Sequence, residues 1–210
     1  MKAKTTVFFV VLLTICAWSA QGASFIGTPS PSLSPVFGVL VNFDDRATGT
    51  PVLAGDYASV GLASITELTG AGAAFARYAG SQSAPNYIGT GPAYELNGNG
   101  SGWDGTIQFR FANATGLVGI GIADSAFGPE TVSIFDSSHT LLESIQAPNG
   151  ANVYVGFARG TNDIAYLEVT GDFFALDDLQ FNIPEPASIA LLGGVLCLIG
   201  ARLRRRSVAR

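Results

Sequence analysis

Short runs of alternating apolar and polar residues, broken every few positions by Gly, Asn, Asp or Pro, restrict this chain's fold more than any other feature. A period of two sends successive side chains to opposite faces of a strand. Val39, Val41 and Phe43 share one face of a predicted strand. Ile107, Phe109 and Phe111 do so against Thr106, Gln108 and Arg110, and Val153, Val155 and Phe157 repeat the pattern. Further strands are predicted at 59–65, 117–123, 131–135, 141–146, 164–170 and 174–181. No stretch keeps a helical period beyond about two turns, and no internal repeat is present. The expected fold is all-β, an antiparallel β-sandwich of the jelly-roll kind, with an immunoglobulin-like arrangement left open.

The two ends of the chain read as processing segments. Lys2 and Lys4 precede an apolar stretch at 7–15, and small residues follow at Ala20, Gly22 and Ala23. This is the pattern of a secretory signal peptide over 1–22, cut by signal peptidase after Gly22. A lipoprotein reading of Cys16 is disfavoured by Ile15, because such sites want a small side chain there. Residues 23–35, with the T-P-S-P-S-L-S-P run at 28–35, read as a proline and serine linker leading into a domain over 36–182. At the other end, 187–201 carries no charge and is followed by Arg202, Leu203, Arg204, Arg205 and Arg206. A transmembrane helix is expected at about 187–203, at the short edge of what spans a bilayer, with Arg202 snorkelling to the interface. The arginine cluster should stay cytoplasmic and stop the helix in the membrane, which puts the body on the far side.

Charge and cysteine narrow the function. Between 23 and 183 four arginines stand against fifteen carboxylates, a net charge of −11. Phosphate backbones would be repelled, so nucleic acid is not an expected partner. The cysteines, Cys16 and Cys197, both lie in the terminal segments. The body therefore has no disulfide, thiolate metal site or thiol catalysis, and its stability must come from its core.

Pro184, Glu185 and Pro186, a short Gly-containing apolar segment and a terminal Arg cluster follow in order. Together they resemble the PEP-CTERM protein-sorting signal, also labelled an ice-binding protein C-terminal domain, over residues 183–210. The resemblance implies that an exosortase in the inner membrane of an exopolysaccharide-producing Gram-negative bacterium recognises Pro184, Glu185 and Pro186 and removes the tail. The body would then wait in the periplasm and end at the cell surface or in the extracellular polysaccharide matrix. The ice-binding label is not carried to the body. Two stretches of the body also resemble domains often found before this tail. They are Phe43-Asp44-Asp45 with Gly49-Thr50-Pro51 and Tyr57-Ala58-Ser59-Val60-Gly61-Leu62, and the closing Phe174-Ala175-Leu176-Asp177-Asp178-Leu179-Gln180-Phe181. These imply fold rather than activity.

The closing stretch holds the main candidate site. Strict alternation puts Asp177 on the face of Leu179 and Phe181, and Asp178 with Leu176 and Gln180. A carboxylate aimed at the core needs a partner. Calcium is the candidate, held by Asp177 and Asp178 with Asp44 and Asp45 from the first strand. The alternative is that Asp177 meets Arg46 or backbone amides, or that it sits at a solvated edge. A second candidate is the loop from Asn97 to Asp104, whose oxygen-rich start suggests an EF-hand but whose twelfth position is Gln108, not the required Glu. Around it Trp103, Tyr94 and Tyr87 could stack on a sugar ring. His139, in the run Asp136-Ser137-Ser138-His139-Thr140, reads as a solvated hairpin turn. No nucleophile elbow, zinc helix or phosphate-cradling loop is present, so no catalytic constellation is assigned. The expectation is a non-catalytic exported surface or matrix protein, then a carbohydrate-binding module with a structural calcium, then a glycoside-acting enzyme.

Overall fold

The structure is a computed structural model, and it describes residues 23–27, 37–70, 72–77, 83, 86–91, 104–123, 128–148, 152–172 and 174–184. Its strands are β1 (Ala23–Gly27), β2 (Val39–Val41), β3 (Leu62–Glu67), β4 (Ala73–Arg77), β5 (Asn86–Thr90) and β6 (Gly105–Thr115). They continue with β7 (Leu117–Ala123), β8 (Thr131–Phe135), β9 (Leu141–Gln146), β10 (Val153–Ala158), β11 (Ile164–Gly171) and β12 (Ala175–Phe181). Seven form one antiparallel sheet, in the order β1-β10-β7-β12-β5-β4 with β2 also beside β12. The other five form a second, β3-β6-β11-β8-β9.

The two sheets share one core, which is the all-β, sandwich-like arrangement that the alternation predicts. Ile107, Phe109 and Phe111 of β6 and Val132 and Ile134 of β8 face Val118, Ile120 and Ile122 of β7 and Val153, Val155 and Phe157 of β10. Phe111 and Phe181 meet across the interior at 5.0 Å between ring centroids. Each such side chain contributes about 1.5–3 kcal/mol when fully buried, so the core can hold the fold without a covalent brace. β6 and β7 lie in different sheets, joined by Gly116 alone. Asn182 clamps that corner, accepting from the Gly116 and Leu117 amides at 3.1 and 2.8 Å and from the Thr115 hydroxyl.

Several expectations are corrected. The strand predicted at 59–65 begins at Leu62, because Tyr57 and Gly61 are both left-handed and Ala58–Val60 coils into a 3-10 turn between them. The strand with Val39, Val41 and Phe43 ends at Val41; Phe43 has φ 59°, yet its ring is fully buried. Residues 23–27, read as the start of a linker, form β1 on the edge of the larger sheet against β10. β4 and β5 were not expected. The face assignment of Asp177 is overturned as well. β12 bulges, with Asp177 opposite Gly121 but Gln180 opposite Gly119, and Asp178 takes φ 47°. One extra residue reverses the alternation. Leu176, Leu179 and Phe181 all enter the core, while Asp177 pairs with Gly121 and Gln180 with Gly119 on the opposite face.

That opposite face is covered as well. The Tyr154 ring lies over Gly119, and its hydroxyl donates to Gln180 Oε1 at 2.8 Å. A Cβ on Gly119 would fall 2.5 Å from the ring. Gly119→Ala should therefore destabilise the protein by about 1–3 kcal/mol through overpacking, measured by urea unfolding, whereas an unchanged midpoint would show that Tyr154 is free to move.

Candidate functional site

β12 changes neighbours along one side. β5 pairs with Ala175 and Leu176, and β2 pairs with Leu179, Gln180 and Phe181. Asp177 and Asp178 stand at the fork between the two ladders, Asp177 fully buried and Asp178 nearly so. Ser83 serves both. Its amide donates to Asp177 Oδ2 at 2.7 Å, and its hydroxyl lies 3.2 Å from the same oxygen and 3.0 Å from Asp178 Oδ1. The Asp178 amide donates to Asp177 Oδ1 at 2.8 Å.

The strands on either side of the fork are tied to each other by a third aspartate. Asp44, just beyond β2, accepts from the Asn86 amide at 2.8 Å and from Asn42 Nδ2 at 3.0 Å. Asn86, at the head of β5, donates to the Arg46 carbonyl at 2.7 Å and accepts from the Thr48 hydroxyl at 2.8 Å. The stretch from Phe43 thus supplies Asp44 here and the closing stretch Asp177 and Asp178.

Burial pushes the Asp177 carboxyl up to about 8; the Ser83 amide pulls it down, and the neighbouring Asp178 carboxylate pushes it further up. Asp178 is raised too, by burial first, against the Ser83 hydroxyl and with the Asp44 charge adding to it. A low-dielectric site with several carboxylates favours a neutral acid over a bare charge.

Of the four aspartates expected to hold calcium, the structure gathers Asp44, Asp177 and Asp178 and sets Asp45 apart. The Tyr57 hydroxyl donates to Asp45 at 2.5 Å, and Arg46 lies between Asp45 and Asp56, 3.2 Å from the latter, with its guanidinium 5.3 Å over the Tyr57 ring. Asp177 therefore meets backbone amides and a serine, not Arg46. Among the described residues no group of three or more His, Cys, Asp or Glu is placed to hold a metal ion together. Trp103 and Tyr94 lie outside the described residues, and Tyr87 is fully buried in β5, so its ring is not offered to a ligand. Asp104 lines a cavity of about 460 Å³ with Thr69, Thr106, Pro129, Thr170 and Asp172. Asp172 is raised there by burial and by the Asp104 carboxylate.

His139 does sit in a hairpin turn, where Asp136 accepts from the Ser138 and Thr140 amides at 2.8 and 2.9 Å. Its ring folds back over the smaller sheet, however, stacking on Phe135 at 4.5 Å and reaching Glu168 Oε1 at 2.8 Å. Phe135 four residues earlier was the one sequence signal for that contact. Signal peptide 1–22, Glu185, Pro186, the expected span 187–203 and Arg202, Arg204, Arg205 and Arg206 lie outside the described residues; Pro184 lies within them. Among the described residues no helix is long and apolar enough to cross a membrane. No protein-family model, curated protein or solved structure matches the chain.

The buried acid sets the pH response. The folded Asp177 carboxyl titrates near 8 and the unfolded one near 3.9. The folded state therefore holds a proton that the unfolded state has released throughout that window. Its contribution is complete below about pH 4 and is lost as pH rises to about 8, a loss on the order of a few kcal/mol. Glu67 and Asp163 are lowered and act below that window, losing their contribution as pH falls. Asp177→Asn should flatten the slope between pH 5 and 8, read as the difference between the two melting curves over that range; parallel slopes would show that Asp177 is ionised in the folded protein. A calcium-dependent rise in melting temperature that Asp177→Asn abolishes would place a cation at the fork, and equal melting with calcium and with chelator would remove it.

Proposed function

We propose that this is an exported, non-catalytic protein of the cell surface or exopolysaccharide matrix, sorted and processed through its C-terminal tail. The observation that carries the reading is the order of Pro184, Glu185 and Pro186, an uncharged apolar segment and an arginine cluster. The exosortase is the partner this implies, and the acidic body would lie in the periplasm until the tail is cut. The limits of the fold support it. β12 ends at Phe181, three residues before Pro184, so the closing strand lies wholly before the tail. In finer detail we read the sandwich as a jelly roll, because the chain changes sheet at most connections and stays within one only in pairs such as β4–β5 and β8–β9. A carbohydrate-binding body on the same route is the second reading, favoured by the open face of the five-stranded sheet.

The tail is testable in an exopolysaccharide-producing Gram-negative host that carries an exosortase. The native chain should lose its tail and leave the membrane fraction, whereas Glu185→Ala with Pro184→Ala and Pro186→Ala should stay there at greater mass. Equal processing of both, followed by mass spectrometry of the C-terminus, would remove the sorting reading.

A further inference from the structure

We infer that the outward face of the five-stranded sheet, continued into the cavity beside Thr106 and Thr170, binds a neutral polysaccharide. The inference rests on the carbohydrate-binding reading and names its site; it is independent of the tail.

Strand register sets the outward side chains in rows across the sheet. Arg110, Tyr166 and Phe135 stand opposite one another in the first row, Gln108, Glu168 and Ser133 in the second, and Thr106, Thr170 and Thr131 in the third. All are exposed or half-buried, while the residues between them along the strands, such as Phe109, Leu167 and Ile134, are fully buried. Rows repeat about every 6.5–7 Å along a strand and members of a row stand about 4.8 Å apart, so the face offers a regular grid.

The grid is already ordered by its own lateral contacts. Gln108 Nε2 donates to Glu168 Oε1 at 2.6 Å, the Thr106 and Thr170 hydroxyls are 2.8 Å apart, and Ser133 meets Ser144 of β9 at 2.9 Å. The Arg110 guanidinium lies 5.9 Å over the Tyr166 ring. Side chains fixed before a ligand arrives lose less entropy when it binds.

At one end of the grid stands an aromatic corner. His139 stacks on Phe135 at 13° between planes and meets the Tyr166 ring edgewise at 5.1 Å, leaving its side chain 47% exposed. Its backbone, at φ 60°, closes the hairpin turn, with its amide donating to the Asp136 carbonyl at 3.0 Å. The ring contacts and the 2.8 Å bond to Glu168 fix the side chain over the sheet. At the other end Thr106 and Thr170 pass into the cavity of about 460 Å³ walled by Asp104 and Asp172.

The chemistry selects the ligand. A pyranose has apolar C–H faces that stack on rings and a rim of hydroxyls that pair with amide, carboxylate and hydroxyl groups. The rows supply one guanidinium and one carboxylate, and the adjoining cavity adds Asp104 and Asp172, within a body of net charge −11. A polyanion would be repelled by that body. A chain of uncharged sugars fits both the grid and the charge.

Calorimetric titration of the full-length protein in mild detergent with cello-, malto- and laminarihexaose, and with oligogalacturonate as the anionic probe, tests this. At least one neutral hexasaccharide should bind. Glu168→Gln, isosteric and so safe for folding, should weaken it about tenfold or more at an unchanged melting temperature. Tyr166→Ala should act in the same direction. The inference is overturned if no neutral hexasaccharide binds, if oligogalacturonate alone binds, if both face variants bind like the native chain, or if Trp103→Ala alone abolishes binding. Purified protein is used throughout, so loss of the sorting reading leaves this result standing and the reverse.

Discussion

Burying two adjacent carboxyl groups where one strand parts from two neighbours is the constraint on which the rest of this structure depends. β12 must present Leu176, Leu179 and Phe181 to one core, and a strict period of two cannot place both 176 and 179 inward. The bulge solves this by inserting Asp178 in the left-handed region, which Asp tolerates better than most residues. The extra residue also breaks the ladder, and the backbone and carboxyl groups freed there must be satisfied. Ser83 does so for both carboxylates from 94 and 95 residues away in sequence, and beside it the Asn86 amide donates to Asp44, tying the segments that flank the fork. The polar fork is thereby a clamp on topology: it holds β2 and β5 at their places beside β12.

A closed and an open side follow from that packing. On the seven-stranded sheet, the outward face at its centre is filled by Tyr154, Gln180 and Asp177, all buried. On the five-stranded sheet the outward residues of β6, β8 and β11 in the three rows remain accessible and are polar or aromatic. A body built this way has its interior locked on one side and a regular chemical surface on the other.

Much of the fold was legible where one face of a strand is wet. β7, β8 and β9 fall at the predicted positions, and β6 shows the alternation of Ile107, Phe109 and Phe111 in full. β5 was missed because it is buried on both faces, so N-Y-I-G-T carries no alternation. β4 was missed because four of its five residues, A-A-F-A-R, are poor strand formers. In the candidate site, the importance of Asp177 and Asp178 could be read from two carboxylates in an apolar strand. The bulge that turns Asp177 away from Leu179 could not, since one inserted residue leaves no mark in a period-two pattern. The folding of His139 over Phe135 and Glu168 was hidden in the same way, because a turn sequence states where the chain reverses and not where a ring comes to rest.

Native-state hydrogen exchange at the fork tests the clamp most directly. The Ser83 amide donates to Asp177 from outside the strands and the Asn86 amide to Asp44 from the first residue of β5, neither from a strand centre. If the fork holds the topology together, both should exchange only through the global opening that exposes Ile120 and Val155, with the same free energy and the same response to denaturant. Exchange of Ser83 and Asn86 by a local opening, well below the protection of β7 and β10, would mean that the sandwich stands without the fork and would contradict the account.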